Sequence, residues 1–411
     1  MKKKIFSIGL CLTLLLSGCA QKGSVFSEGT STEATSMEAT STNQYEETND
    51  FSQSGEAEVM SINTQQKDWS KVQGKIRGIY SAGGSKVLVF ANEISLYDLA
   101  TGKTVGTVSE EGLDSLRCWT LDTGYVIVGQ VASKGSGGFE AEEGSSGPQL
   151  RVVFYDTNLK SRSEFDISNL LRDEKTLMDT EAIAFSSDGN RIAYATMTGL
   201  YLYDRQQDKH TTLIDLTAED EKARSGICNV EQVGFTNGGN NIAFKAQSFD
   251  VPAVIGEPSF DTIGIINTDG TGLTNQKADG YAVKELSAYD SRLLVAEDFT
   301  TADGRVMVMD NKSGSKKIHI LSDNNEGGNI YGSDTGRYFA SSVSSKTGWT
   351  VRIYDTETGK MVKEESISND GEEVYGFKDP MLRIVDETKT CIVLLGNKQD
   401  EVDTKIVSIP F

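Results

Sequence analysis

The feature that most restricts what this chain can fold into is a strand-like pentad closing in Tyr-Asp or a near equivalent. It stands as ISLYD at Ile94–Asp98, VVFYD at Val152–Asp156, LYLYD at Leu200–Asp204, VMVMD at Val306–Asp310 and VRIYD at Val351–Asp355, with IGIIN at Ile263–Asn267 as a degenerate copy. A polar turn follows each one, such as QQDK or TETGK, and then another short strand. Before the pentad comes a hairpin built on a glycine turn, as in AFSSDGNRIAYAT at Ala184–Thr196 or GFTNGGNNIAFKA at Gly234–Ala246. Alternation of β-branched and aromatic residues between Gly, Asp and Asn turns reads as strands, and no segment keeps a helical period for long. The unit is therefore four antiparallel strands, A to D.

Seven such units start near residues 75, 115, 181, 230, 284, 329 and 374, about 49 residues apart, the size of one blade of a β-propeller. The expected fold is thus all-β, a propeller of seven four-stranded blades over residues 67–411. The stretch Val374–Leu395 can be divided differently, which leaves six or eight as alternatives. The last unit ends at Lys405–Phe411 in a C strand, so residues near Val59–Gln66 are expected to supply its outer strand and protect the open edge.

FSSDGNRIAYATMTGLYLYD at Phe185–Asp204 and INTDGTGLTNQ at Ile266–Gln276 resemble the WD40-like repeats of the TolB-type propeller superfamily. The Gly-His and Trp-Asp dipeptides of true WD40 repeats are absent. The resemblance implies the fold and a tendency to serve as an interaction platform; it assigns no functional residue.

The N-terminus has a different character. Lys2, Lys3 and Lys4 precede an apolar run from Ile5 to Leu16, too short for a permanent membrane span and of the form of an export signal. It ends in Leu16-Ser17-Gly18-Cys19, which resembles the lipobox of bacterial lipoproteins. That resemblance implies cleavage between Gly18 and Cys19 and a diacylglyceryl group on Cys19, with palmitate-type chains inserted in a membrane. Two chains anchor stably where one does not. Residues 1–18 would then be the signal peptide. The mature protein would sit on the outer leaflet of the cell membrane, or on the outer membrane if the cell has two. Residues 19–66, rich in Ser, Thr, Glu and Asn, bury too little to fold and read as a disordered tether.

The chain carries 60 Asp and Glu against 40 Lys and Arg, for a net charge of −20. That balance excludes nucleic acid as a partner. Cys118, Cys228 and Cys391 remain beyond the tether, an odd number that argues against a disulfide framework and for buried apolar roles.

In a four-stranded meander the A–B and C–D turns lie at one end and the B–C and D–A connections at the other. The short turns carry Asp, Gly and Lys and read as turn chemistry. The long connections all fall at the second end: Ser133–Pro148, Ser168–Glu181, Thr217–Asn229 and Gln247–Asp261. They are acidic, so a binding face is expected there, carried by Phe139, Glu142, Glu143, Phe249, Asp250, Phe260, Asp261, Phe299 and Trp349. Its partner would be a protein or a cell-envelope component.

Nothing marks a catalyst. His210 falls in a C–D turn and His319 on a D strand, neither on the expected face. No phosphate loop, zinc signature or calcium loop is present, so no cofactor or metal is expected. An envelope hydrolase or lyase using loop carboxylates, or a solute sensor, is the alternative.

Overall fold

The computed structural model describes residues 76–109, 113–131, 150–167, 170, 182–218, 226–248, 261–277, 283–297, 305–311, 313–322, 330–374, 377, 379–395 and 406–411. The signal, the tether and the strand expected near Val59–Gln66 lie outside them.

The strands form seven antiparallel sheets in chain order. The first is β1 (Gly78–Ser81), β2 (Lys86–Phe90), β3 (Ile94–Asp98) and β4 (Lys103–Val108). The second is β5 (Leu113–Leu121), β6 (Gly124–Val131), β7 (Leu150–Asp156) and β8 (Ser161–Phe165). The third is β9 (Ile183–Phe185), β10 (Arg191–Thr196), β11 (Gly199–Asp204) and β12 (Lys209–Asp215). The fourth is β13 (Ile227–Thr236), β14 (Asn241–Ser248), β15 (Asp261–Asn267) and β16 (Thr274–Lys277). The fifth is β17 (Val283–Ala288), β18 (Arg292–Glu297), β19 (Arg305–Asp310) and β20 (Lys316–Ile320). The sixth is β21 (Ile330–Gly332), β22 (Tyr338–Ser344), β23 (Gly348–Asp355) and β24 (Met361–Ser368). The seventh, β25 (Met381–Val385), β26 (Thr390–Leu394) and β27 (Ile406–Pro410), has three strands among the described residues. The blade count is seven, and every Tyr-Asp pentad is a third strand.

The sheets pack face to face in a ring. β1 lies against both β5 and β25, β13 against β9 and β17, and β21 against β25. Each second strand is buried on both faces, and its alternate side chains feed two different interfaces. On β2, Leu88 and Phe90 join Leu116 and Ile127 of the second blade, while Val87 and Val89 join Val385, Ile392 and Ile406 of the seventh. On β26, Ile392 and Leu394 face the first blade, and Cys391 and Val393 face the sixth. Seven apolar clusters thus fill seven interfaces, and the one between β25 and β1 closes the ring.

The Tyr-Asp pair divides its labour along the same lines. Tyr155 and Tyr354 are buried against the preceding blade, and Tyr97 and Tyr203 pack there too. The Asp ends the strand and caps the next turn. Oδ1 of Asp98 accepts the Ala100 N–H at 3.0 Å, that of Asp204 the N–H groups of Gln206 and Gln207, and that of Asp355 those of Glu357 and Thr358. Hydrogen bonds from Ser85 and Thr101 hold the Asp98 carboxyl below the usual range. Burial opposes the same shift at Asp355, but the bonds from Thr358 and the charge of Arg337 outweigh it. In the fourth blade, where Asn267 replaces the Asp, Asp269 takes over and accepts the Thr271 N–H at 2.9 Å.

The cysteines divide. Cys391 is fully buried, as a small apolar side chain, whereas Cys118 and Cys228 are half-buried; all three are free thiols.

One joint between blades rests on a histidine. His319 on β20 is buried, and its Nε2–H donates to the Thr356 carbonyl at 2.9 Å in the C–D turn of the sixth blade. Nδ1 then carries no proton and has no partner. Burial lowers the pKa of this ring below the ordinary histidine value, against the pull of the Thr356 bond. The turn it docks on contains Gly359, at φ 68°, where a Cβ would lie 2.2 Å from His319 Nδ1. Gly102 holds the same turn position in the first blade at φ 67°, with nothing within 4 Å.

This pair of glycines separates backbone strain from close approach. Gly102→Ala is expected to cost only the left-handed penalty, about 1 kcal/mol, and Gly359→Ala about 2 kcal/mol or more, because His319 must also leave its site; urea unfolding of both variants checks the difference. His319 also makes stability depend on pH. Its folded pKa lies below the unfolded value near 6.5, so its stability contribution is intact above pH ~6.5. As pH falls through that value toward the lower folded one, the unfolded chain takes up a proton the native chain refuses. His319→Gln is expected to flatten the stability profile in this window by up to about 1.4 kcal/mol per pH unit, measured as urea midpoints from pH 7.5 to 5.

Candidate functional site

The two ends of the ring differ in construction. At the A–B turn end neighbouring turns lock together in pairs. Asp122 N–H donates to the Ser187 carbonyl at 2.7 Å, and Asn237 N–H to the Asp290 carbonyl at 2.7 Å. Thr335 N–H donates to Asp386 Oδ2 at 3.0 Å. Ser81 of the first blade donates its hydroxyl to Asp334 of the sixth, reaching past the seventh. Tyr289 lies so close over the following turn that a Cβ on Gly332 would meet its hydroxyl at 1.6 Å and one on Gly336 its ring at 2.6 Å. At the opposite end emerge the connections between β6 and β7, β8 and β9, β12 and β13, and β14 and β15.

Most of the expected binding face falls on those connections. Phe139, Glu142, Glu143, Phe249, Asp250, Phe260 and Phe299 lie outside the described residues, as do Gly18 and Cys19. Two of the expected positions are described. Asp261 is not a loop residue but opens β15, opposite Gln247, because β14 runs on to Ser248. Trp349 is not exposed: it is 3% accessible on β23 and meets the Phe377 ring edge-on with centroids 5.9 Å apart. Its indole belongs to the interface with the seventh blade and offers no ring to a partner.

His210 also departs from expectation. It is the second residue of β12, paired with Tyr203, because Asp208 takes a left-handed turn conformation at φ 49° and the strand begins at once. Its ring lies tilted against that of Tyr203 with centroids 4.6 Å apart, and Nδ1 lies 3.0 Å from the Tyr194 hydroxyl. With His319 docked on Thr356, both histidines join strands and blades.

The chemically distinctive residues lie elsewhere, on the innermost strands. Of these, β13 and β17 are half-exposed along most of their length and β1 and β21 toward their ends, whereas the second strands are buried; the innermost strands of a propeller surround its central channel. Arg383 on β25 stands between two aromatic rings, 5.2 Å from the centroid of Tyr331 on β21 and 5.7 Å from that of Tyr80 on β1. Arg117 on β5 lies 5.5 Å from the Trp119 ring. Burial raises the Tyr80 hydroxyl pKa, while Arg383 and Arg117 both pull it back. Burial likewise raises Tyr331, opposed by Arg383 and reinforced by Glu285 and Asp379.

Asp334 sits at the turn-end mouth of this channel, open to solvent but crowded by protein. That crowding lifts its carboxyl above the usual range and Asp386 adds to the lift, while the Ser81 hydroxyl and Arg383 oppose it. Asp386 Oδ1 is enclosed and without a hydrogen-bond partner. Crowding also raises Tyr289, which faces Glu285, Asp334 and Asp386. Sequence reading missed this group because its members come from the innermost strands and turns of different blades and match no motif; only aligning equivalent innermost-strand positions would have found it. Among the described residues no three His, Cys, Asp or Glu side chains gather as metal ligands.

The sequence matches no protein-family model, and no curated protein is similar to it. Among solved structures the chain is similar to the β-propeller domain of Cps50 (Swd1) from Myceliophteria thermophila. The identity is 12% and the TM-score 0.50, over 82% of this chain and 99% of that one. At that identity the likeness speaks for the fold alone. With seven blades closed by seven interfaces, the domain is a seven-bladed β-propeller.

Proposed function

We propose that this chain is an exported lipoprotein, anchored outside the cytoplasm through a diacylglyceryl group on Cys19. Its propeller serves as a non-catalytic binding platform for a protein or cell-envelope component. The observation that carries the platform reading is the asymmetry of the ring. Short turns lock blade to blade at one end, so that end is committed to holding the ring together. The connections of variable length and acidic composition emerge at the other, on a rigid frame, where loops can be exchanged without disturbing the core. The anchor reading rests on Lys2–Lys4, the apolar run and Leu16-Ser17-Gly18-Cys19.

Both halves are open to test in cells. Full-length protein is expected in the membrane pellet, with the Cys19 peptide heavier by a diacylglyceryl group in mass spectra, and Cys19→Ala is expected to abolish that mass and the cleavage that depends on it. An unmodified Cys19 peptide would overturn the anchor. For the platform, the full chain cross-linked in cells is expected to capture a defined envelope component. A variant with 133–148 replaced by Gly-Gly is expected to lose at least about 90% of that capture while keeping its thermal midpoint. Capture indifferent to this loop would refute the face assigned here.

A further inference from the structure

Asn237-Gly238 is the only Asn-Gly pair in the sequence. It stands in the A–B turn of the fourth blade, with φ 54° at Asn237 and 61° at Gly238, and the Gly239 N–H returns to the Thr236 carbonyl at 3.1 Å. Two successive left-handed residues are what this pair supplies most readily. The same pair carries a reactivity of its own. Glycine has no Cβ to shield its nitrogen and rotates freely, so the Gly238 nitrogen is able to attack Cγ of the Asn237 side chain. That step forms an N–Cγ bond and breaks the Cγ–Nδ2 bond, and Nδ2 leaves as ammonia with the proton that Gly238 gives up. Solvent water then opens the cyclic imide, leaving aspartate or isoaspartate at position 237.

In the folded chain both reacting groups are restrained. Asn237 Nδ2 donates to Asn241 Oδ1 at 2.6 Å, and Asn241 Nδ2 in turn to Asn267 Oδ1 at 2.6 Å, which fixes the amide plane. The carbonyl of the Asn237–Gly238 peptide accepts the Asn240 N–H at 3.1 Å and Asn240 Nδ2 at 2.9 Å. The N–H of that peptide donates to Asp290 Oδ1, in the A–B turn of the fifth blade, and the Asn237 N–H donates to the Asp290 carbonyl at 2.7 Å. Asp290 therefore acts twice. To swing toward Cγ, the Gly238 nitrogen must first break a hydrogen bond to a charged acceptor, the strong kind. The attacking species is also the nitrogen stripped of its proton, and a carboxylate against it opposes the negative charge it has to acquire.

We propose that Asn237 is a modification site, a deamidation centre that the Asp290 carboxylate holds closed, so that water converts it only while the Gly238 N–H is released from Asp290. Conversion marks the joint between the fourth and fifth blades. It replaces the Nδ2 donor that Asn241 accepts with an acceptor, adds a negative charge to a turn that Asp290 already grips, and in the isoaspartyl form lengthens that turn by one backbone carbon. The site lies at the turn end of the ring, and it stands or falls independently of the platform reading.

The test incubates the full-length chain at mildly alkaline pH and follows the amide-to-acid mass change at position 237 by peptide mapping. Native wild-type protein is expected to convert at least about tenfold more slowly than the same chain in guanidinium chloride, because reaction waits on local opening. Asp290→Ala is expected to remove most of that protection, and Asp290→Asn, which keeps an oxygen for the Gly238 N–H, to restore part of it. Asn311→Ala separates the guard from general loosening. It removes the bonds from Asn311 Nδ2 to Thr236 Oγ1 and to the Asp290 carbonyl but leaves the Gly238 contact, and it is expected to convert more slowly than Asp290→Ala. If circular dichroism finds Asp290→Ala unfolded, Asp290→Ser, too short to reach Gly238, is judged by the same criterion. Native wild-type conversion as fast as in denaturant, a folded Asp290→Ala protein no faster than wild type, or Asn311→Ala as fast as Asp290→Ala would each overturn the proposal.

Discussion

Everything in this structure depends on the second strands being buried on both faces. A strand with one wet face tolerates polar residues at every other position. KVLVF at Lys86–Phe90 and TCIVL at Thr390–Leu394 do not alternate in that way, because odd and even side chains enter two different interfaces. A slip of one residue would send each set into the wrong neighbour, so register is fixed twice over. Closing the ring needs nothing of a different kind. Val385, Ile392 and Leu394 meet Ile79, Val87 and Val89 as neighbouring blades meet anywhere else in the ring.

The same geometry explains why the fold was legible before any coordinates. The Tyr-Asp pentad is a physical unit: one ring fills the preceding interface, and one carboxylate caps the next turn. Its recurrence therefore reports blade spacing directly, and the third-strand assignments, the hairpins and the truncated last unit follow from it. Local chemistry was misread where the signal depended on where an element begins. Trp349 follows Lys346-Thr347-Gly348, which looks like a loop, yet β23 starts at Gly348 and turns the indole inward. His210 lies where a longer polar turn was expected, but a left-handed Asp208 shortens that turn.

The channel wall was illegible for a different reason. Tyr331, Arg383, Tyr80 and Arg117 become neighbours only because the ring is closed, and Tyr80 meets Arg383 across the joint between the first and last blades. No window along the chain contains more than one of them. Periodicity carries information about what repeats, and a binding site in a propeller is built from what differs between repeats at one shared position.

Aspartates show how little residue type says without position. At the ends of the third strands they lie within reach of two or three turn donors, and Asp98 and Asp355 are held ionised. Asp334 is the same residue in a similar short turn, but it faces inward among Asp386, Ser81 and Arg383, and its carboxyl moves the other way. Both inward carboxylates also tie blades together, Asp334 through the Ser81 hydroxyl of the first blade and Asp386 through the Thr335 N–H of the sixth, and so add polar ties at the turn end to the apolar clusters that close the ring.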